Sequence, residues 1–384
     1  NMKLCFISNF LNHHQLPLCN SFYSILGDDF KFIACEPIPQ ERIDMGYQKD
    51  FDVPYLIDGT DSNTVYKYLD EYDVFIVGSC PSEYVNYGFD HNKMVCRYSE
   101  RIIRDGYWRV FSPLGQWNMH HLFPKKKMKN AYLLCSSAYS ALDYVLYGAF
   151  KNKAHKWGYF PAMSDKTFDE LHALKQPNSI IWAGRFLKLK QADQVIEVAR
   201  MLKEDGLDFT ITMIGNGEEL PNIKDMINRY NLNDHITMVD YLPFQEVRNY
   251  MERHEIGLFT SNFREGWGAV LNEFMSSACA PVTNYKAGAS IFLVDNENGI
   301  IYDDTVEMLY KYTKKLLTDK AYLKKTQLNA YNTITTLWNN EVAAERFVEW
   351  AQSVLVGNPI SYEDGPISKA IEISNGSAKD YIHK

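Results

Sequence analysis

The chain has 384 residues, a net charge of −8, and 46% hydrophobic and 23% charged residues. This length predicts two domains, because a domain averages roughly 100–200 residues. The acidic balance argues against a nucleic-acid-binding protein, and no apolar run reaches the ~18 residues that span a bilayer. Seven cysteines without a C-x-x-C pair indicate reduced thiols in a cytoplasmic protein, with no metal site or disulfide framework. The N-terminal residues enter an apolar run directly, which predicts no secretory signal.

The first part of the chain alternates short apolar runs with amphipathic patterns. Strands are predicted at 3–9, 30–36, 73–79, 94–99 and 131–137, with a helix at 62–72 between two of them. Strands that are apolar throughout and are separated by helices are typical of a parallel sheet covered on both faces.

The same alternation restarts in the second part. Strands are predicted at 179–185, 209–217, 235–242, 255–262 and 280–284. The helix after the first of these strands places apolar residues from Ala192 to Leu202 at a period of 3.6. We therefore predict an α/β fold of two doubly wound Rossmann-like domains facing a central cleft. Ligands of such sheets bind outside the carboxyl ends of the strands, which makes the cleft the expected site.

The predicted domain boundaries follow from the two series. The first domain covers 1–165 and the second covers 166–338. A C-terminal helix at 339–356 is expected to pack back towards the first domain. The remaining segment, 357–384, is polar and weakly patterned, so no structure is assigned to it.

Cationic and glycine residues follow two strands of the second part. Gly184, Arg185 and Lys190 lie in "GRFLKLK", at a strand-to-helix turn where a guanidinium and an ammonium group suit a diphosphate. Lys188 remains open as the working lysine, and a solvated basic loop is the alternative. Gly215 lies in "IGNGEE", whose turn lacks the third glycine of a dinucleotide fingerprint and so argues against a nicotinamide cofactor.

Two glutamates frame the stretch "EGWGAVLNE". Glu265 lies on a turn with Gly266, Trp267 and Gly268, and Glu273 lies on the helix that follows. Free backbone N–H groups at such a turn favour an anionic or polyhydroxylated ligand. Two carboxylates held this far apart suit a ligand with two sugars joined by a diphosphate. Taken alone, such a glutamate pair is usually a solvated face.

In these motifs the chain resembles the GT-B-fold, nucleotide-sugar-dependent glycosyltransferases of family four. "GRFLKLK" is similar to the family's G-R-x(4)-K, "EGWGAVLNE" is similar to its E-x(7)-E, with tryptophan where phenylalanine is usual, and "SACAPV" is similar to the turn that follows. The likeness covers about residues 2–355. It implies a retaining, metal-independent and cofactor-free transfer of a sugar, with a UDP-sugar as the expected donor. The implied acceptor is a glycan or lipid-linked saccharide of cell-surface polysaccharide synthesis.

The resemblance also implies residue roles. Arg185 and Lys190 neutralise the leaving diphosphate, and Glu265 with the amides of 266–268 holds the donor sugar. Apart from the resemblance, the glycine turn at Gly215 predicts close backbone approach to a ligand, and Gly184 belongs to the matched cationic motif. Glu273 binds the ribose, and the base lies against Tyr241 and Leu242 in the loop after 235–242.

The first part departs from the family pattern at two loops. Its first loop reads "SNFLNHHQLP" in place of the usual glycine pair, so Asn9, His13 and His14 are candidates for contact with the diphosphate or the acceptor. After the fourth strand, Ser99 and Glu100 stand where a histidine is usual. Glu100 is a candidate acceptor base. The alternative is that it pairs with Arg97 or Arg104.

Two basic segments, 101–109 and 123–130, suit peripheral contact with the inner face of the plasma membrane, although a charge run is more often a solvated face. Two other functions stay open: a nucleotide-sugar 2-epimerase on the same fold, and a non-catalytic protein that binds nucleotide sugars.

Overall fold

The computed structural model describes residues 2–44 and 51–383. The chain forms two compact units. The first unit comprises Asn1–Pro161 and Asn339–Ser374, and the second comprises Ala162–Trp338 and Asn375–Lys384.

The first unit contains a seven-stranded sheet with the order β3-β2-β1-β4-β5-β6-β7, and every ladder in it is parallel. The chain order reverses between β1 and β4, which creates the position where open α/β sheets bind ligands. The strands are β1 Leu4–Ser8, β2 Phe30–Ala34, β3 Leu56–Asp58, β4 Val74–Val77, β5 Met94–Ser99, β6 Ala131–Cys135 and β7 Ala154–Lys156. The helices of this part of the chain are α1 Leu16–Leu26, α2 Gln40–Asp44, α3 Ser62–Glu71, α4 Ser82–Asp90, α5 Pro113–Leu122 and α6 Ser140–Leu146.

The second unit contains a six-stranded parallel sheet with the order β10-β9-β8-β11-β12-β13. Its strands are β8 Ser179–Ala183, β9 Thr210–Ile214, β10 Ile236–Val239, β11 Ile256–Phe259, β12 Ala280–Asn284 and β13 Ile300–Tyr302. Its helices are α7 Phe168–Leu174, α8 Ala192–Glu204, α9 Leu220–Arg229, α10 Phe244–Arg253, α11 Val270–Ser276, α12 Ser290–Leu293, α13 Val306–Thr318 and α14 Lys320–Thr336. Aliphatic residues from β8, β9 and β12 form its core together with the buried face of α8.

The last helix, α15 (Asn340–Leu355), belongs to the first unit and packs on α1. Its N-terminal residue Asn340 donates from Nδ2 to Oγ of Ser21 at 2.8 Å. The segment after it has little regular structure, yet its backbone is paired. The N–H of Lys156 donates to the carbonyl of Ser368 at 2.7 Å, and the N–H of Ala370 donates to that of Ala154 at 3.0 Å.

The predicted fold class is confirmed, since each unit is a doubly wound parallel sheet. All ten strands expected from the sequence are present, whereas β3, β7 and β13 were not predicted. Each of these three strands has only three residues and lies at a sheet edge, so its apolar run is too short to stand out. All seven cysteines are unpaired. Within the described ranges, no helix has the length and apolar character needed to cross a membrane.

Candidate functional site

In the second unit, the loops that leave β8 and β9 are joined through their backbones. The N–H of Gly184 donates to the carbonyl of Ile214 at 3.0 Å, and the N–H of Phe186 donates to that of Asn216 at 2.9 Å. Gly215 makes this approach possible. Its φ is +138°, and a Cβ there would lie 1.9 Å from the carbonyl oxygen of Gly184. The sequence places a glycine where no side chain fits.

Replacing Gly215 with alanine is expected to destabilise the second unit by about 2 kcal/mol or more, because the methyl group collides with backbone and the φ is strained. Urea unfolding measures the effect. Gly184→Ala is the matched control, since a Cβ at Gly184 meets nothing closer than the Trp182 ring at 3.4 Å. Equal stability of the two variants would show that the loops are not packed in this way.

The loops after β8 and β11 bring the two sequence motifs into contact. Lys190 forms an ion pair with the carboxylate of Glu265, and the two side chains are only 17% and 14% exposed. The N–H of Asn262 donates to the carbonyl of Leu189 at 2.9 Å, which ties the two loops together. Because β8 and β11 are neighbouring parallel strands, their carboxyl ends deliver both charges to the same edge of the sheet.

Two further cations lie on the same turn as Lys190. Arg185 and Lys188 are exposed, and neither side chain hydrogen bonds or pairs with any residue of the part that the structure describes. Lys190 is therefore the lysine that is held against Glu265, while Lys188 points its charge into solvent.

The turn after Glu265 offers backbone donors. The N–H groups of Gly266 and Gly268 donate to no residue within 2–44 or 51–383. Gly268 has φ +93°, and a Cβ there would lie 2.2 Å from the Phe259 ring, so this turn also requires glycine. The indole of Trp267 is fully buried and donates to Oδ1 of Asn272 at 2.8 Å. Only the backbone of Trp267 is left to meet a ligand.

Glu273 lies on α11, partly buried beside Arg248 of α10. Arg248 donates hydrogen bonds to neighbouring oxygens, including the backbone carbonyl of Glu273 at 3.1 Å and Oγ of Ser276 at 2.7 Å. No described residue donates a hydrogen bond to the Glu273 carboxylate. Burial raises the pKa of Glu273, and the positive charge of Arg248 opposes this shift. The Glu273 carboxylate is therefore a strong hydrogen-bond acceptor to which no described residue donates.

The loop after β10 completes this edge of the sheet. Asn216 donates from Nδ2 to Oδ1 of Asp240 at 3.0 Å, and the Tyr241 hydroxyl donates to the Asn216 carbonyl at 3.3 Å. The ring of Tyr241 is exposed, and Leu242 is partly exposed. These two side chains form an accessible surface next to the β9 loop.

The first unit contains a cavity of about 500 Å³ at the carboxyl ends of β1, β4 and β5. Asn9, His14, Ser99 and Glu100, which the sequence singled out, line this cavity, and His13 does not. Glu100 accepts hydrogen bonds from Arg104 at 2.8 Å and from the Tyr159 hydroxyl at 2.7 Å. Of the two pairings left open by the sequence, the one with Arg104 is present.

His14 is buried against His13, and Ser99 is hydrogen-bonded within the first unit. Burial lowers the pKa of His14 to about 3, and the neighbouring His13 adds to the shift. Its ring lies 4.0 Å from that of His13. Ser99 accepts from the Tyr144 hydroxyl at 2.8 Å. His14 is therefore a neutral group at physiological pH.

Arg97 and Arg248 were not among the site residues expected from the sequence. Arg97 lines the cavity of the first unit, and its signal was a charged residue inside the otherwise apolar β5 run "MVCRYS". Arg248 contacts the backbone of Glu273, and the amphipathic pattern of α10 gives no sign of that role.

A family model described as "Glycosyl transferases group 1" matches residues 163–333. The matched residues lie within the second unit, Ala162–Trp338. The chain is 26% identical over 183 residues to the amylovoran biosynthesis glycosyltransferase AmsK of Erwinia amylovora. This alignment covers 46% of the chain and 45% of AmsK, so less than half of that protein is matched.

Solved structures extend the likeness to both units. The Anabaena protein Alr3699/HepE, crystallised in complex with UDP, matches with a TM-score of 0.66 at 14% identity, covering 92% of this chain and 100% of that one. A sucrose-phosphate synthase from Thermosynechococcus elongatus matches with a TM-score of 0.62 at 13% identity, covering 93% of this chain and 100% of that one. At these identities the likeness establishes the GT-B fold.

Proposed function

We propose that this protein is a retaining glycosyltransferase that moves a sugar from a nucleoside diphosphate sugar, with UDP as the carrier, to a saccharide acceptor. The observation that carries this proposal is the contact between Lys190 and Glu265. It joins the cationic motif after β8 to the glutamate-framed motif after β11. Glu273, eight residues further along, has a carboxylate to which no described residue donates.

In the proposed complex the diphosphate lies against Arg185 and Lys190. Negative charge grows on the diphosphate as the bond to the sugar breaks, and cations that are already in position lower the barrier to that step. Glu265 fixes the Lys190 ammonium before the donor arrives, so little reorganisation accompanies the reaction. The N–H groups of Gly266 and Gly268 donate to the donor sugar and phosphates.

The ribose and the base of the donor contact different groups of the protein. Glu273 accepts the ribose hydroxyls, and the base lies against Tyr241 and Leu242. The UDP complex of Alr3699/HepE, a protein of the same fold, supports UDP as the carrier. In this proposal no metal ion or further cofactor takes part, because the side-chain cations neutralise the diphosphate. Retention of the anomeric configuration is proposed from the two motifs.

The proposed acceptor is a glycan or lipid-linked saccharide of a cell-surface polysaccharide, bound by the first unit. The likeness to an amylovoran biosynthesis glycosyltransferase supports this class. Asn9, Ser99 and Glu100 line the cavity of that unit, where Glu100 is the candidate base for the acceptor hydroxyl.

Purified protein incubated with UDP-sugars tests the function. We expect UDP release that depends on an added saccharide acceptor, together with an α-linked product from an α-linked donor. An epimerised sugar formed without acceptor would show a nucleotide-sugar 2-epimerase instead. UDP-sugar binding with no turnover over a broad acceptor panel would show a non-catalytic binding protein.

We further propose peripheral contact with the inner face of the plasma membrane. From the end of the first basic segment onwards, Trp108, Phe111, Leu114 and Trp117 are 63–84% exposed, and α5 buries none of its residues. Exposed aromatic and aliphatic residues flanked by lysines are typical of a surface that enters the interface of an anionic bilayer. The basic segments contribute less charge than their sequence suggests, because Arg101 is buried on Asp143.

Replacing Phe111 and Trp117 with serine is expected to lower binding to vesicles containing phosphatidylglycerol by about tenfold or more, since each side chain loses burial of roughly 1.5–3 kcal/mol in the interface. Sedimentation with vesicles measures the bound fraction. Val356→Ser is the control, because Val356 is 79% exposed and lies outside this surface. Unchanged binding of the double variant would contradict the proposed contact.

A further inference from the structure

The cavity of the first unit lies at the position where the strand order of its sheet reverses. Ser8 at the end of β1, Gly78 and Ser79 after β4, and Arg97 and Ser99 of β5 contribute to its walls. A volume of about 500 Å³ falls within the range of small-molecule sites. Among the described residues, Arg42, Arg97, Arg101 and Arg104 line the cavity, and Glu100 is the one acidic residue that does so.

Two of these arginines have carboxylate partners within the unit. Arg101 pairs with Asp143 at 3.2 Å, and Arg104 pairs with Glu100 at 2.8 Å. Each of these two pairs therefore neutralises the positive charge of its own arginine.

Arg97 has no such partner among the described residues. Its Nη1 donates to the carbonyl of Gly78 at 2.5 Å, and its Nε is buried without an acceptor. Arginine keeps its proton in proteins, so this partly buried group is a positive charge without a nearby carboxylate. Holding a guanidinium away from water is costly unless an anion pairs with it. The cavity is therefore built for an anionic ligand.

Other walls of the cavity suit a sugar ring. Gln15 lines the cavity, and its Oε1 is a buried acceptor to which no described residue donates. Tyr98 and Tyr159 meet edge to face at 5.8 Å and present aromatic surface beside it. An amide that can bind a hydroxyl group, aromatic rings and a cation together suit the binding of a charged saccharide.

We propose that this cavity binds a saccharide acceptor that carries a phosphate or carboxylate group, and that Arg97 pairs with this anion. The inference rests on the glycosyltransferase function proposed above and narrows its acceptor to an anionic class. A guanidinium binds either group through two parallel hydrogen bonds, so phosphate and carboxylate share the same recognition chemistry.

Three probes with one ring test the inference: glucose 6-phosphate, glucuronate and glucose, each titrated calorimetrically into the full chain at constant ionic strength. We expect both anionic probes to bind at least about tenfold more tightly than glucose, as charge-assisted pairing predicts. The tighter of the two identifies phosphate or carboxylate as the recognised group. Equal affinity for all three probes, or no detectable binding of any, would overturn the inference.

Arg97→Gln is expected to remove the preference for the anionic probes, and Arg97→Lys is expected to keep part of it. Arg229→Gln is the charge-matched control, because Arg229 is exposed on α9 of the second unit. Should Arg97→Gln fail to fold in a thermal scan, the wild-type contrast between glucose 6-phosphate and glucose still decides the matter. A preference that survives in folded Arg97→Gln would contradict the assignment.

Titration of UDP into the same samples separates this inference from the proposed function. UDP binding without any anionic-sugar preference leaves the glycosyltransferase proposal standing and removes the anionic acceptor. An anionic-sugar preference without UDP binding supports the cavity and removes the donor site.

Discussion

Replacing Lys190 with alanine is expected to lower the rate of sugar transfer by about a hundredfold or more, which is the usual effect of removing one group that is preorganised to meet charge in a transition state. The loss falls on turnover more than on donor affinity, because the charge on the diphosphate is greatest as the sugar departs. The measurement is kcat and KM for transfer from a UDP-sugar with a saturating acceptor.

Lys188→Ala is the matched control for this experiment. Lys188 lies two residues away on the same turn, is exposed, and does not contact Glu265. We expect the control to keep most of the wild-type rate and both variants to remain folded, since neither lysine belongs to the core. A Lys190→Ala enzyme as active as the control would show that the diphosphate binds elsewhere.

Glu273→Gln is expected to weaken UDP binding by about 1.5–3 kcal/mol, or roughly 10–150-fold, because hydrogen bonds to a charged acceptor contribute that much. The amide has nearly the same shape but accepts hydroxyl hydrogen bonds through only one of its two ends. Calorimetric titration of UDP measures the change. Glu246→Gln, an exposed residue of α10, is the control and should bind UDP as the wild type does.

The same substitution is expected to leave the unliganded protein equally stable or more stable near neutral pH. Burial raises the pKa of Glu273 above its ordinary value. The native state therefore loses stability as the pH rises from the ordinary pKa of glutamate through the raised one. Glutamine removes that loss. Weaker binding together with undiminished stability would identify a ligand-binding carboxylate, whereas unchanged UDP affinity would refute the assignment.

The sequence predicted the fold well because its central strands are continuous apolar runs. Segments such as 280–284 coincide with the observed β12, since a strand buried on both faces leaves a simple pattern. Strand β3 escaped notice because its three residues, Leu56–Asp58, are an edge strand with partial exposure. A run of three residues is too short to show the apolar pattern of a strand.

The contact between the two motifs of the second unit was predictable because spacing and topology agree. Lys190 and Glu265 are 75 residues apart, yet the parallel sheet places the loops that carry them side by side. The burial of the Trp267 indole was not predictable, because a turn motif does not show that its aromatic side chain packs inward on Phe292 and Trp338.

The cavity of the first unit was predictable only in part. Asn9 and Glu100 were candidates because they follow strands, which is where ligands of parallel sheets bind, and both line the cavity. Arg97 lies within a strand, and it became a candidate only because no carboxylate of the described residues pairs with it. That is a property of packing in three dimensions rather than of spacing along the chain.

A crystal structure of the protein with UDP tests the central claim most directly. We expect the diphosphate to contact Arg185 and Lys190, and the ribose hydroxyls to donate to the carboxylate of Glu273. Electron density for UDP at any place away from the carboxyl ends of β8 and β11, with Glu273 still lacking a donor, would contradict the account.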